Sequence, residues 1–79
     1  MSFVVYAIRS DRTGRIYIGQ TGRFEARLDS HNCGRVLSTR SDRPWRRFKL
    51  QDFPSRSAAR WFEYSLKRSR GKRKKWLKS

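Results

Sequence analysis

Phe3-Val4-Val5-Tyr6-Ala7-Ile8 and Arg15-Ile16-Tyr17-Ile18-Gly19 are the two runs that decide the fold of this chain. The first is apolar on both alternating faces, the pattern of a central strand covered on each side rather than of a half-exposed one. β-Branched and aromatic residues dominate the second, and Asp11, Thr13 and Gly14 supply turn chemistry between the two. The pair therefore reads as a hairpin. On the returning strand Tyr17 projects opposite to Ile16 and Ile18.

Beyond the hairpin, Phe24, Arg27, Leu28 and His31 fall at the spacing of one helical stripe, with Asn32-Cys33-Gly34 as its C-terminal stop. Residues 35 to 43 lack periodicity and read as an exposed basic loop. Pro44 to Leu50 is a third strand, Pro44 being allowed at its start or on an edge. Ser55 or Ser57 is the candidate N-cap of a second helix, Ala58 to Lys67, whose Ala59, Phe62, Glu63 and Leu66 share one stripe. Glu63 thus lies on the face to be buried, where a charge demands a partner, a cation or water. The tail, 67 to 79, reads as a last short helix interrupted near Gly71, or as partly disordered. The expected architecture is an α/β (α+β) single domain over 1–79, a small three-stranded sheet flanked by helices in the order β-β-α-β-α-(α).

Seventy-nine residues allow one thin core, since a domain of this size buries only roughly 60% of its unfolded surface. Three Trp, three Tyr and five Phe suit that constraint, and Trp45, Trp61 and Trp76 are expected in the core ahead of serving as stacking surfaces. Twenty-one Lys and Arg face six Asp and Glu, and the resulting +15 attracts polyanions before any site chemistry is considered. Nucleic acid is the expected partner. A membrane surface is not, because neither an amphipathic anchor nor a lipidation signal is present. Cys33 stands alone, which excludes a disulfide framework and Cys/His zinc spacing and points to a reduced, cytoplasmic setting. Residues 3 to 8 are too short for a signal h-region or a span.

Phosphodiester hydrolysis needs a base for water, positive charge at the phosphoryl group and a metal ligand. Tyr or His, Arg and a carboxylate fill those roles, and Arg27 with His31 on one helix and Glu63 on another offer them. Each residue also has a plain structural reading. Tyr6 and Tyr17 can be core aromatics, His31 can compensate a helix end, and Arg27 can bind phosphate without catalysis or pair with Glu63.

Taken as an ordered set, the residues resemble the GIY-YIG nuclease family over nearly the whole chain. Val5-Tyr6 is similar to the first motif and Tyr17-Ile18-Gly19-Gln20-Thr21 to the second. Arg27-Leu28 with His31-Asn32 resembles the helix signature, and Ala59, Glu63 and Leu66-Lys67 the helix carrying the metal ligand. Thr39 and Pro44-Trp45 resemble the small stand-alone bacterial members. The first motif here lacks its glycine and isoleucine, Gln20 and Thr21 stand where some members have a lysine, and no asparagine follows Glu63.

The resemblance implies a metal-dependent endonuclease acting on DNA, with branched, flapped or nicked structures as candidate targets. It implies Glu63 as ligand of one Mg²⁺ or Mn²⁺, Arg27 on the scissile phosphate, and Tyr6 and Tyr17 at the attacking water. We favour Tyr6 as base, with Tyr17 and His31 tuning it. Arg35, Arg40, Arg43, Arg46 and Arg47, with Lys67, Arg70, Lys72, Arg73, Lys74 and Lys75, are the expected phosphate contacts. RNA is the alternative polymer, and a protein partner an alternative source of targeting. The competing class is a non-catalytic binding module or accessory subunit of the same fold.

Overall fold

A computed structural model describes residues 3–79; Met1 and Ser2, the first residues of the expected domain, lie outside the described residues. The hairpin forms as β1 (Phe3–Ser10) and β2 (Ile16–Thr21), and β3 (Trp45–Phe53) adds to the other side of β1. The sheet order is β2-β1-β3 with both pairings antiparallel, so β1 is the central strand that its two-faced apolar pattern requires. Gly14 takes φ +77° in the turn, and Ser10 Oγ accepts from the Arg12 and Thr13 amides at 3.1 and 2.9 Å. Those two bonds pin the register of the hairpin.

Helix α1 (Phe24–Asn32) covers one face of the sheet and stops as expected: Cys33 is the C-cap, and Gly34 follows at φ +82°. Helix α2 (Arg56–Arg68) covers the other face, started by Ser55, whose hydroxyl accepts from the Ala58 amide at 3.1 Å. The alternation of β1 divides the core accordingly. Val5 and Ala7 join Ile18, Ala59, Leu66 and Trp76 under α2, whereas Tyr6 and Ile8 join Trp45 under α1. Burying each of the Val, Ile and Leu side chains contributes about 1.5–3 kcal/mol.

Three expectations need correction. The tail is ordered, and its last short helix, α3 (Arg70–Lys78), is separated from α2 at Ser69, the C-cap of one helix and N-cap of the other, with Gly71 inside the first turn of α3 rather than at the break. Buried Trp76 anchors it, its Nε1–H donating to Gln51 Oε1 at 2.7 Å. The basic segment after α1 is not wholly exposed: it holds a 3-10 turn, Arg40–Asp42, and Thr39 is completely buried. Finally, Trp45 and Trp76 are core but Trp61 is 72% exposed. Among the described residues no helix is long and apolar enough to cross a membrane.

Candidate functional site

The site starts at the hairpin, where Tyr6 pairs with Gly19 and Tyr17 with Ile8. The Tyr6 ring lies directly across the backbone of β2. A Cβ on residue 19 would stand 2.6 Å from Tyr6 Oη and 2.7 Å from Cζ, so glycine at the end of Tyr17-Ile18-Gly19 makes room for the phenol. Phe24 of α1 packs on the same ring at 5.5 Å, and the Tyr17 ring stands 6.4 Å away.

His31, in the last turn of α1, is fully buried and hydrogen-bonded through both nitrogens. Nε2 is 2.9 Å from Tyr6 Oη, and Nδ1 is 2.8 Å from Thr39 Oγ1. The Thr39 hydroxyl is turned to the Val36 carbonyl at 3.3 Å, which leaves Thr39 Oγ1 to accept from Nδ1–H and Nε2 to accept from Tyr6. Trp45 Nε1–H holds the Thr39 carbonyl at 2.8 Å, and Asn32 clamps the Trp45 backbone on both sides, at 3.0 and 2.6 Å. His31 is therefore a wired internal group, not a helix-end charge.

Burial, helped by the nearby Arg27 charge, lowers the His31 pKa to about 4, so the ring is neutral at pH 7. Burial likewise pushes the Tyr6 phenol up to about 12. Arg27 opposes that rise, while Tyr17 and Glu63 add to it. Tyr6 in turn raises the Arg27 pKa. The well-aligned bond of the Tyr6 hydroxyl goes to His31; Arg27 acts on the phenol from an exposed position on α1, with room to meet an anion.

Strand β2 is an edge strand, so although Tyr17 packs on the α1 face with Tyr6, Lys67 of α2 reaches its ring round the open edge. Lys67 Nζ sits 5.9 Å from the Tyr17 ring centroid and 2.8 Å from Glu63 Oε2. A groove of about 300 Å³ opens there between Ile16, Tyr17, Ile18, Lys67 and Arg73. Glu63 is thus already paired with a cation, and that cation is Lys67 rather than Arg27. The Glu-to-Lys spacing of four residues was the legible signal for this pair.

No cluster of three or more metal-ligating side chains occurs among the described residues. Glu63 alone fits one kind of metal: a hard divalent ion that keeps several waters and completes its shell with substrate phosphate. Tyr6, Tyr17, Arg27, His31 and Glu63 are brought together. The basic residues are not. Lys67 and Arg73 reach the Tyr17 groove, whereas Arg46 and Arg47 stand on the opposite sheet edge, with Arg46 ion-paired to Asp11 at 2.7 Å. Arg43 is turned to the Arg40 carbonyl at 2.8 Å and Lys72 to Ser65 Oγ at 2.9 Å. Arg35, Arg40, Arg70, Lys74 and Lys75 are exposed. Sequence reasoning missed the work of Asn32 and Thr39, because neither spacing nor residue type announces a partner eight or thirteen positions away.

Comparison with known proteins agrees with this geometry. The family model described as the GIY-YIG catalytic domain matches residues 2–76. The solution NMR structure of a UPF0213 protein from Bacillus halodurans is similar at a TM-score of 0.61 and 30% identity, over 99% of this chain and 84% of that one. No curated protein matches the sequence. With Tyr6 over the hairpin glycine, the Tyr17 ring 6.4 Å from that of Tyr6, Arg27 and Glu63 acting on the Tyr6 phenol, and a family match over almost its full length, this chain belongs to the GIY-YIG family of nuclease domains.

Proposed function

We propose that this protein is a metal-dependent endonuclease that cuts DNA, selecting branched, flapped or nicked structures. The observation that carries the reading is the buried chain Tyr6–His31–Thr39, with the Arg27 and Glu63 charges both acting on the Tyr6 phenol. The arginine and carboxylate beside this chain supply the phosphate contact and metal ligand that a core tyrosine alone would not need.

Arg27 meets the scissile phosphate and holds the charge that gathers on its oxygens. Tyr17, at the groove, orients the attacking water. Tyr6 accepts a proton from that water while passing its own to His31 Nε2, whose Nδ1–H is held by Thr39. With Tyr6 near 12 and His31 near 4, the same transfer in the free protein is uphill by on the order of 10 kcal/mol. No phenolate is therefore stored; the relay works only as water and anionic phosphate arrive. Glu63 would hold the divalent ion, exchanging Lys67 for it. Bound there, Mg²⁺ or Mn²⁺ supplies positive charge to the phosphoryl and leaving oxygens.

Cleavage of labelled duplex, flap, four-way junction, single-stranded DNA and RNA, with Mg²⁺, Mn²⁺ or chelator, tests this. Metal-dependent cutting is expected from the parent, with Glu63→Gln inactive yet still binding and Arg27→Ala slowed about 10²-fold or more. Equal cutting by parent and both variants would refute it.

A further inference from the structure

The outward face of α2 carries two large aromatics that the core does not use. Ala59, Phe62 and Leu66 supply the packing of this helix. Trp61 and Tyr64 point away from it, 72% and 51% exposed, and they stack on each other with centroids 5.9 Å apart and planes 28° from parallel. Arg68 stands 5.5 Å over the Tyr64 ring, and Ser57 and Arg60 complete a shallow groove of about 520 Å³ beside the pair. Leaving so much apolar ring surface in water on a chain of 79 residues calls for an occupant.

We propose that this face is a stacking platform for unpaired nucleobases, and that nucleic acid with a single-stranded segment is the substrate class of the adjoining site. The inference rests on the nuclease reading for its link to cleavage, but the platform is tested without turnover. Three observations select bases as the occupant. The rim is cationic, and the one carboxylate on α2, Glu63, is already neutralised by Lys67. A second copy of a chain carrying +15 is repelled from such a rim. Going round the helix at about 100° per residue, Lys67 and Arg60 lie between Glu63 and Tyr64, so cations line the path from the site to the platform. A backbone tracked along those cations brings its bases over the rings, and only unpaired bases offer a free π-face.

The test uses Glu63→Gln protein with chelator, so that binding is read without turnover. An oligothymidine, an abasic analogue of equal length and a duplex of equal length are titrated at fixed salt, following affinity and tryptophan emission. Trp45 and Trp76 are buried, so quenching reports Trp61. Oligothymidine is expected to quench and to bind about tenfold or more tighter than the abasic strand. Trp61→Ala and Tyr64→Ala, both at exposed positions, are expected to lose about tenfold for oligothymidine while duplex affinity and salt slope stay put. Equal binding of the two single strands, or equal loss on duplex, or no loss at all, overturns the proposal. A dimer that disappears in Trp61→Ala would overturn it in favour of a second copy. If the parent cuts nothing while the binding results hold, the nuclease reading fails and the platform stands.

Discussion

Tyr6 and His31, 25 residues apart in the chain, share a buried hydrogen bond of 2.9 Å, and each is the other's route to the rest of the site. Removing the Tyr6 hydroxyl leaves His31 Nε2 without a partner in a place water does not reach. Tyr6→Phe is expected to cost about 1–3 kcal/mol of stability and to slow cleavage by about 10²–10⁴-fold. DNA affinity, governed by exposed cations, should remain within about twofold. Chemical denaturation, single-turnover cutting and an equilibrium binding assay check the three outcomes; a variant that cuts at the parental rate excludes Tyr6 from the chemistry.

Acid should destabilise the fold through His31. The folded state holds the ring at about 4 against an ordinary 6.5, so between those values the unfolded chain takes up a proton that the native chain refuses. The contribution is complete above about pH 6.5 and is lost as pH falls toward 4, amounting to about 3 kcal/mol across the window. Urea midpoints measured from neutral pH down to 4 should show this slope in the parent. A slope unchanged in His31→Gln would locate the effect elsewhere.

Gly19→Ala should strike the site through sterics alone. The new methyl would fall 2.6 Å from Tyr6 Oη, and the ring cannot retreat because Phe24 packs against it. A stability loss of about 1–3 kcal/mol is expected, with displacement of the phenol and a fall in cleavage. Melting temperature and the Tyr6 ring resonances are the readouts. An unshifted ring would show that the hairpin accommodates the methyl by moving its backbone.

Lys67→Gln should free Glu63. Lys67 is half exposed and the pair spans one helical turn, so its loss changes stability by about 0.5 kcal/mol. Manganese affinity in the absence of nucleic acid should rise, because the competing ammonium has gone. Titration followed by Mn²⁺ paramagnetic resonance measures this directly, and equal affinity in parent and variant would show that Lys67 and the metal do not share Glu63.

Particular elements show where reading the chain succeeded. The central place of β1 followed from Val4, Val5, Tyr6 and Ala7 being apolar on both faces, and the end of α1 from Gly34 three residues beyond His31. The nine residues of α3 were harder, since cations dominate its composition and its order comes from Trp76 meeting Gln51 on β3. Thr39 looked like loop because its burial is set by Trp45 and His31, residues on two other elements. Trp61 looked like core because residue type favours burial, whereas its place on α2 turns it outward.

Local pattern determined the three strands, the first two helices, their order and the polyanion-seeking charge, because alternation, helical spacing and composition are written in neighbouring positions; the candidate chemistry-bearing set came from the ordered resemblance to a nuclease family. Only the tertiary structure decided which of those residues touch. That Tyr6 donates to His31, that Lys67 rather than Arg27 neutralises Glu63, and that Arg46 and Arg47 stand on the sheet edge opposite β2 all depend on how the strands and helices converge. Burial and pairing are properties of that convergence: they lower His31, raise Tyr6, and leave the rings of α2 facing solvent.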